Sequence, residues 1–211
     1  MRHCARCAGI QYSGAHAACA HLFFLFFEHM KKFFFIFLGI QALLFGVEML
    51  QPVQRTVVEP WTGLIARASA AIVRLIDHSA ISYGRILHSP SANFSISIEA
   101  GCNGVEASIV LLAAILAFPA SWRDRFWGLA LGFLAVQSVN LLRVVSLFFL
   151  GQWNFKAFEF AHLYMWQALI MLDVLAVWLL WMRYVARSQR RSDTAQQAAA
   201  AQPPAVGVQA P

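Results

Sequence analysis

The chain has 211 residues, of which 60% are hydrophobic and 12% are charged. A soluble domain is about half apolar and about a quarter charged, so this composition excludes an ordinary soluble domain and indicates a membrane protein of one compact domain. The net charge of +6 does not indicate a nucleic-acid partner, because most basic residues flank hydrophobic runs, as membrane topology requires. Three of the four cysteines lie within the first 19 residues, so no disulfide framework is expected in the membrane domain.

Residues 1–30 lack the basic region and the bounded apolar core of a signal peptide. We interpret them as an N-terminal extension, and Met30 as the candidate true start of the protein. His3, Cys4 and Cys7 resemble half of a metal site, but a zinc site needs a second pair of ligands at a defined spacing. An unstructured extension is therefore favoured, and neither a metal ion nor a cofactor is expected.

Residues 31–187 form the predicted membrane domain, which we expect to be all-α with about four transmembrane helices, and residues 188–211 form a predicted disordered cytoplasmic tail. Four runs are long enough to cross a membrane, which takes about 20 residues: 33–50, 104–120, 126–150 and 163–182. Basic residues flank alternate ends of these runs, at 31–32, 123–125 and 183–191. The positive-inside rule then predicts that both termini are cytoplasmic and that residues 51–102 and 151–162 lie outside.

The outer segment 51–102 contains apolar residues at helical spacing, which predicts an amphipathic helix on the membrane surface. These residues are Trp61, Leu64, Ile65, Ala68, Ile72, Leu75 and Ile76. The alternation of Phe94, Ile96 and Ile98 predicts a short β-hairpin that leads to Cys102. In the third run, the pair Gly128 and Gly132 predicts a close-packing surface for a neighbouring helix.

Cys102, Arg143 and His162 are predicted to lie near the outer ends of three different spans, at similar depth. A helix N-terminus at Cys102 favours a thiolate, and the N–H groups from Asn103 onward are suited to an oxyanion. A histidine can take the thiol proton, and arginine presents a planar fork of donors. Together the three residues indicate an acyl-transfer site. Taken alone, a cysteine such as Cys102 is more often a small buried hydrophobe, and a histidine such as His162 is more often an interfacial polar residue.

Arg143 must either reach the membrane surface or pair internally, because a charge inside a bilayer is costly. Glu106, one turn below the cysteine, is its natural ion-pair partner, and a purely structural pair is an open alternative. Asn140 lies one turn inward on the same helix face as Arg143, where it could help to hold the guanidinium. Asp173 could either orient a polar network or form a structural pair.

The motifs AGCNGVEA, NLLRVVSLFFLG and FAHLYMW resemble the exosortase/archaeosortase family over roughly residues 33–182. Members are polytopic membrane proteins, regarded as cysteine transpeptidases, with cysteine, arginine and histidine in that order. The resemblance implies that Cys102, Arg143 and His162 are catalytic. From their positions we predict that Asn103, Gly104, Glu106 and Asn140 support them. Many members have around eight spans and a Cys-Ser-Gly signature, whereas this chain has four predicted spans and Cys-Asn-Gly. It is most similar to the compact exosortase H subgroup.

The resemblance implies cleavage of C-terminal sorting signals through a thioester, at the periplasmic side of a bacterial inner membrane. The implied partners are membrane lipids and exported proteins whose signal comprises a short motif of the IPTLxxWG type, a transmembrane helix and a basic cluster. One alternative is a non-enzymatic membrane scaffold or assembly factor, which would not need Cys102. A four-helix disulfide oxidoreductase is less favoured, because it needs a pair of outer cysteines.

Overall fold

The computed structural model of the chain describes residues 12–200. Seven α-helices lie in this part of the chain: α1 (Tyr12–Glu48), α2 (Gln51–Val53), α3 (Glu59–Val73), α4 (Val105–Ala117), α5 (Trp122–Trp153), α6 (Phe155–Phe160) and α7 (Trp166–Ala200). Two π-helical segments, Gln54–Val58 and Ala161–Met165, connect α2 to α3 and α6 to α7. Three short strands form one antiparallel sheet: β1 (Ile81–Tyr83), β2 (Ile86–Ser89) and β3 (Phe94–Ser97). The predicted metal half-site at residues 3–7 lies outside the described residues.

The described part contains three helical stretches long and apolar enough to cross a membrane: Met30–Glu48, Trp122–Trp153 and Phe155–Ala200. The predicted second span is a shorter apolar helix of 13 residues, which extends over about 20 Å. It begins after Gly104, whose φ of +75° is left-handed, and ends at Phe118, which is extended before a proline. The chain is thus an all-α integral membrane protein, as predicted, with a second membrane helix shorter than predicted.

The short helix α4 packs against α1, α5 and α7. Leu111 and Ile115 of α4 are buried together with Val136 of α5 and with Ile170 and Val174 of α7. Burial of such aliphatic side chains stabilises the fold by about 1.5–3 kcal/mol each. The position of the loop that contains Cys102 is therefore fixed by a core that begins immediately after it.

The predicted close-packing surface of α5 is confirmed, and its neighbours belong to the same chain. The ring of Trp181 in α7 lies directly against Gly128, where a Cβ would overlap the indole. A Cβ at Gly132 would come within 2.7 Å of the Leu111 side chain. The two glycines therefore allow α5 to approach α7 and α4 closely.

Helix α3 is amphipathic, as predicted, but its buried face differs from the predicted stripe. Ala66, Ala70 and Val73 pack closely beneath the sheet and α5, whereas Leu64 and Leu75 are exposed. Small side chains on this face let the sheet approach the helix, which the spacing of large apolar residues did not reveal.

The predicted hairpin is confirmed as β2 and β3, and β1 adds a third strand on the far side of β2. Asp77, in the loop before β1, accepts hydrogen bonds from the hydroxyls of Ser89, Ser79 and Ser91. The hydrogen bonds from Ser89 and Ser79 lower the pKa of Asp77 to about 2. This carboxylate therefore ties the turn after β2 to the loop before β1.

Helices α5 and α6 are nearly continuous, because only Asn154 separates them. Asn154 is extended, and its side-chain oxygen accepts a hydrogen bond from the Ala157 amide as an N-cap. The predicted outer loop 151–162 is consequently mostly helical. The predicted disordered tail is also helical as far as Ala200, although residues 189–200 are exposed; alanine, glutamine and arginine favour such a helix.

Candidate active site

Cys102 lies in the loop 98–104, which we call the cysteine loop, between β3 and α4. Its thiol is free and half-buried, and the side chain packs beside Ile65 and Val144. The Cys102 amide donates to the Glu99 carbonyl at 3.0 Å, which closes a tight turn. Cys102 therefore lies three residues before the start of α4 at Val105 instead of opening the helix as predicted.

Asn103 anchors the cysteine loop to α3. Its side chain is 1% exposed; Nδ2 donates to Thr62 Oγ1 at 3.1 Å, and Oδ1 accepts from the Val105 amide at 3.0 Å. Its carbonyl accepts from Trp61 Nε1 at 3.2 Å. In the described part of the chain, no acceptor is found for the backbone amides of Asn103 and Gly104. Asn103 thus supports the loop, and two amides beside the thiol are free.

Gly104 is required by a close approach of α5. A Cβ at this left-handed position would lie 2.8 Å from both terminal atoms of the Gln137 side chain and 3.1 Å from Asn140 Nδ2. Gln137 Nε2 donates to the Gly104 carbonyl at 3.1 Å. Asn140 is fully buried, yet neither side-chain polar atom forms a hydrogen bond within the described residues. The expectation that Asn140 holds Arg143 is therefore wrong in this structure.

Arg143 is brought directly to the thiol. It is 2% exposed, Nη1 donates to the Gly101 carbonyl at 2.9 Å, and Nη2 donates to Cys102 Sγ at 3.5 Å. The planar guanidinium fork thus bridges the backbone and the sulfur of the same loop. Gln137, Asn140 and Arg143 are spaced by three residues, which places all three on the face of α5 directed at this loop.

Glu106 does not pair with Arg143, contrary to the prediction. Among the described residues no ion pair joins them, and Glu106 Oε1 instead accepts a hydrogen bond of 2.5 Å from the Gly101 amide. The second oxygen, Oε2, has no hydrogen-bond partner there. The cysteine loop lies between the two charges, so each of them bonds to the backbone of Gly101. That residue has a φ of +81°, which glycine adopts readily.

His162 lies in the π-helical segment Ala161–Met165, seven residues beyond the start of α6, and does not open a helix as predicted. Its ring stacks on Phe158 with centroids 5.6 Å apart and an interplanar angle of 9°. Nδ1 is buried without a hydrogen-bond partner in the described structure. Short π-helical segments often occur at functional sites. The orientation of the imidazole is therefore fixed by stacking on Phe158 and not by a hydrogen bond to Nδ1.

Cys102 and His162 line the same cavity, whose volume is about 270 Å³. Its other walls are β3, the turn at Glu99 and Ala100, and the rings of Phe155 and Phe158. The structure thus brings Cys102 together with both predicted partners: Arg143 by a hydrogen bond and His162 across a shared cavity. Asp173 lies on α7, and its Oδ2 atom has no hydrogen-bond partner within residues 12–200.

A larger cavity, of about 810 Å³, lies between α3, α4 and α5. Its lining is almost wholly apolar, and Cys102, Arg143 and His162 do not contribute to it. Nucleophilic chemistry needs a nucleophile and a base in reach of one reacting atom. The smaller cavity is therefore the candidate active site.

Burial raises the pKa of the Cys102 thiol, and the positive charge of Arg143 opposes this effect. The carboxylates of Glu106 and Glu99 raise the pKa further. Because burial is the largest cause, the resting group is a thiol and a base must remove its proton during the attack. The helix N-terminus alone does not supply the expected activation, since Cys102 lies before the N-cap.

Sequence reasoning missed the residues that hold the cysteine loop, namely Thr62 and Gln137, and also the hydrogen-bonding role of Trp61. Thr62 and Gln137 are polar residues on otherwise apolar helix faces, and Gln137 lies three residues before Asn140. This spacing would have identified Gln137. The contact between Trp61 and Asn103 joins residues 42 positions apart and depends on the tertiary fold.

Comparison with known proteins places the chain in a family. The family model described as transmembrane exosortase matches residues 4–180, which is most of the chain and includes Cys102, Arg143 and His162. This match agrees with the resemblance of the sequence motifs to the exosortase/archaeosortase family. No curated protein and no solved structure matches the chain. On the extent of the family match, the chain belongs to the transmembrane exosortase family.

Proposed function

We propose that the chain is a membrane cysteine transpeptidase that cleaves the C-terminal sorting signals of exported proteins. Membership of the exosortase family supports a membrane transpeptidase or sorting role. The observation that carries the proposal is the contact of Arg143 with the Cys102 thiol at the rim of a cavity that His162 also lines. These are the groups that a thiol-dependent acyl transfer requires.

In the first step, His162 accepts the proton of the Cys102 thiol and the sulfur attacks the carbonyl carbon of the scissile peptide bond. Arg143 stabilises the developing thiolate, since Nη2 is 3.5 Å from Sγ. The free amides of Asn103 and Gly104 are the candidate donors to the oxyanion. Donors of this kind commonly contribute about 10²–10³ in rate.

In the second step, the carbon–nitrogen bond breaks and the protonated His162 gives its proton to the leaving amine. The amine is the N-terminus of the released tail, and the rest of the substrate remains as a thioester on Cys102. A second nucleophile then attacks the thioester carbonyl, its proton passes to His162, and the proton returns to the sulfur. Water, an amine or a lipid-linked glycan is chemically suited to this role.

The proposed location is the bacterial inner membrane, with both termini in the cytoplasm and the cavity facing the periplasm. The basic residues at 31–32, 123–125 and 183–191 support this orientation. The proposed partners are membrane lipids and exported proteins with an IPTLxxWG-type motif before a transmembrane helix and a basic cluster, as the resemblance to the exosortase H subgroup suggests.

The test is co-expression with a tagged exported reporter that ends in an IPTLxxWG-type motif, a transmembrane helix and a basic cluster. Cys102→Ala and Cys102→Ser are expected to abolish removal of the tail while the protein still accumulates in the membrane. His162→Ala is expected to be nearly as severe, because burial keeps the thiol protonated without a base. The matched control is His78→Ala, at an exposed histidine that does not line the cavity.

Retained processing in Cys102→Ala would remove the enzymatic proposal. The remaining candidate would then be a membrane scaffold or assembly factor, for which the thiol is dispensable. A disulfide oxidoreductase is not supported, because Cys102 is the only cysteine in the described membrane domain from residue 31 to 187.

A further inference from the structure

Strand β3 is an edge strand, because the sheet order is β1-β2-β3 and β3 pairs only with β2. The Ile98 amide donates to the Arg85 carbonyl at 3.0 Å, so Arg85 and Ile98 form a hydrogen-bonded pair. The pair Leu87 and Ile96 lies two positions further along the same ladder. In an antiparallel ladder, hydrogen-bonded and non-bonded pairs alternate along the strand. The N–H and C=O groups of Ser95 and Ser97 are therefore directed away from β2, toward the open edge.

The open edge of β3 belongs to the candidate active site. All four residues of β3 line the cavity of about 270 Å³ that Cys102 and His162 share. In the described chain, neither the Ser95 nor the Ser97 amide has a backbone acceptor beyond the sheet. Unpaired strand edges are normally protected by charge, proline or a covering segment. Phe-Ser-Ile-Ser has no charge and no proline, so this edge is available for pairing.

We propose that the substrate segment beside the scissile bond binds as an added β-strand along β3, which delivers its carbonyl to Cys102. The inference rests on the proposed function and names how that site holds its substrate. The ligand is an extended peptide, bound mainly through its backbone, as in other cases of strand addition. Alternate side chains of an added strand lie on the same face, so one set lies against the rings of Phe155 and Phe158.

The dimensions of the site suit a short peptide. Four residues of strand extend over about 14 Å, and an added strand lies about 4.8 Å from its neighbour. The edge is firmly held, because the Phe94 ring packs against Phe148 with centroids 5.8 Å apart and Ile96 packs against the cluster of Val73 and Leu87. A rigid edge lowers the entropy cost of binding a flexible peptide.

The first experiment removes one edge-facing N–H. Ser95→Pro deletes the amide hydrogen that is directed at the cavity while leaving the ladder to β2 intact. Ser95→Ala keeps the amide and removes only the hydroxyl. Ser82→Pro is the matched backbone control. Leu87, the partner of Ser82 in β2, directs its N–H and C=O groups toward β3, so the Ser82 amide is directed away from β2, to the outer edge of β1. Thermal stability of all three variants is measured in detergent.

With the tagged reporter described above, Ser95→Pro is expected to process about tenfold more slowly than Ser82→Pro, which corresponds to one lost hydrogen bond of about 1.4 kcal/mol. Ser95→Pro is also expected to process more slowly than Ser95→Ala, because Ser95→Ala keeps the amide hydrogen. Equal processing by Ser95→Pro and Ser82→Pro would overturn the proposal. If Ser95→Pro alone fails to accumulate, the second experiment decides.

The second experiment does not need catalysis. In a Cys102→Ala chain without its three N-terminal cysteines, Ser95→Cys is oxidised in the presence of reporters with single cysteines along the sorting motif. Directly opposed residues of paired strands are about 4.5–5.5 Å apart between Cα atoms, within disulfide range. A disulfide is expected at the one reporter position directly opposed to residue 95, and not at the positions on either side of it, whose side chains lie on the opposite face of the added strand.

Disulfides at no reporter position, or equally at successive positions, would overturn strand pairing. An uncleaved reporter with wild-type protein would instead overturn the proposed function. A disulfide confined to one reporter position would even then support the added strand, so the two failures are distinguishable.

Discussion

Arg143 offers the sharpest test of the site, because its guanidinium contacts two atoms of the cysteine loop. Nη1 lies 2.9 Å from the Gly101 carbonyl and Nη2 lies 3.5 Å from Cys102 Sγ. In Arg143→Lys the charge is kept, but a single ammonium lacks the planar fork that bridges both atoms. A hydrogen bond to a charged group contributes about 1.5–3 kcal/mol. Loss of one such contact is expected to slow processing by about 10- to 150-fold.

The charge of Arg143 is tested separately through the pH dependence of Cys102 alkylation, in chains without the N-terminal cysteines. The cation lowers the pKa of Cys102 against the effect of burial. Its removal in Arg143→Gln therefore raises that pKa and moves the alkylation profile to higher pH. Arg143→Lys keeps the positive charge, so its profile is expected to remain close to that of the wild type. Arg67→Gln, at an exposed arginine of α3, is the control.

Near wild-type processing by Arg143→Lys would show that the fork is dispensable. An unshifted alkylation profile in Arg143→Gln would refute the action of the charge on the thiol. Because no ion pair joins Glu106 and Arg143 in the described structure, Glu106→Gln is not expected to rescue Arg143→Gln. Rescue would restore the structural pair as the better explanation.

Gly128→Ala is expected to lower the thermal stability, because the added Cβ overlaps the Trp181 ring. In the control Gly46→Ala no atom lies within 4 Å of the added Cβ, and the higher helix propensity of alanine is expected to raise the free energy of unfolding by up to about 1 kcal/mol. Equal melting temperatures of the two variants would contradict the close approach at Gly128. The stability that Asp77 contributes is fully present above pH 3.8 and is lost as the pH falls through about 2, because the pKa of Asp77 is lowered in the folded protein. In an acid titration, Asp77→Asn is expected not to show this loss of stability. If the variant loses the same stability, other groups are responsible. A cysteine introduced at Pro90 is expected to react with an impermeant maleimide from the periplasmic side, and labelling only from the cytoplasm would reverse the proposed orientation.

The helical class and the β2–β3 hairpin could be predicted, because each depends on a local pattern. Long apolar runs identify membrane helices, and alternation identifies the strands. The chemistry of a lone thiol, arginine and histidine, together with the order of the motifs, was enough to bring Cys102 and Arg143 together. These features survive small errors in element boundaries.

The bond of Arg143 to the Gly101 backbone could not be predicted, because the expected ion-pair partner, Glu106, is not its hydrogen-bond acceptor in the structure. The cysteine loop passes between Glu106 and Arg143, and the backbone of Gly101 replaces the ion pair. Sequence patterns carry no information about backbone acceptors in an irregular loop. The same limit applies to the open edge of β3, which is defined by pairing and is invisible in the sequence.

The π-helical segment at His162 determines how the side chains before it are rotated about the helix axis relative to those of α7. Each residue of an α-helix turns the chain by about 100°, and a π segment contains an additional residue within an otherwise α-helical run. Removing one residue from 161–165 would restore α-helical winding and rotate His162 relative to the faces of Ile170 and Val174 that pack in the core. The helical bundle could then fold with the His162 imidazole turned away from the Cys102 thiol. The direction of the histidine and the packing of α7 are thus set by separate parts of one helix.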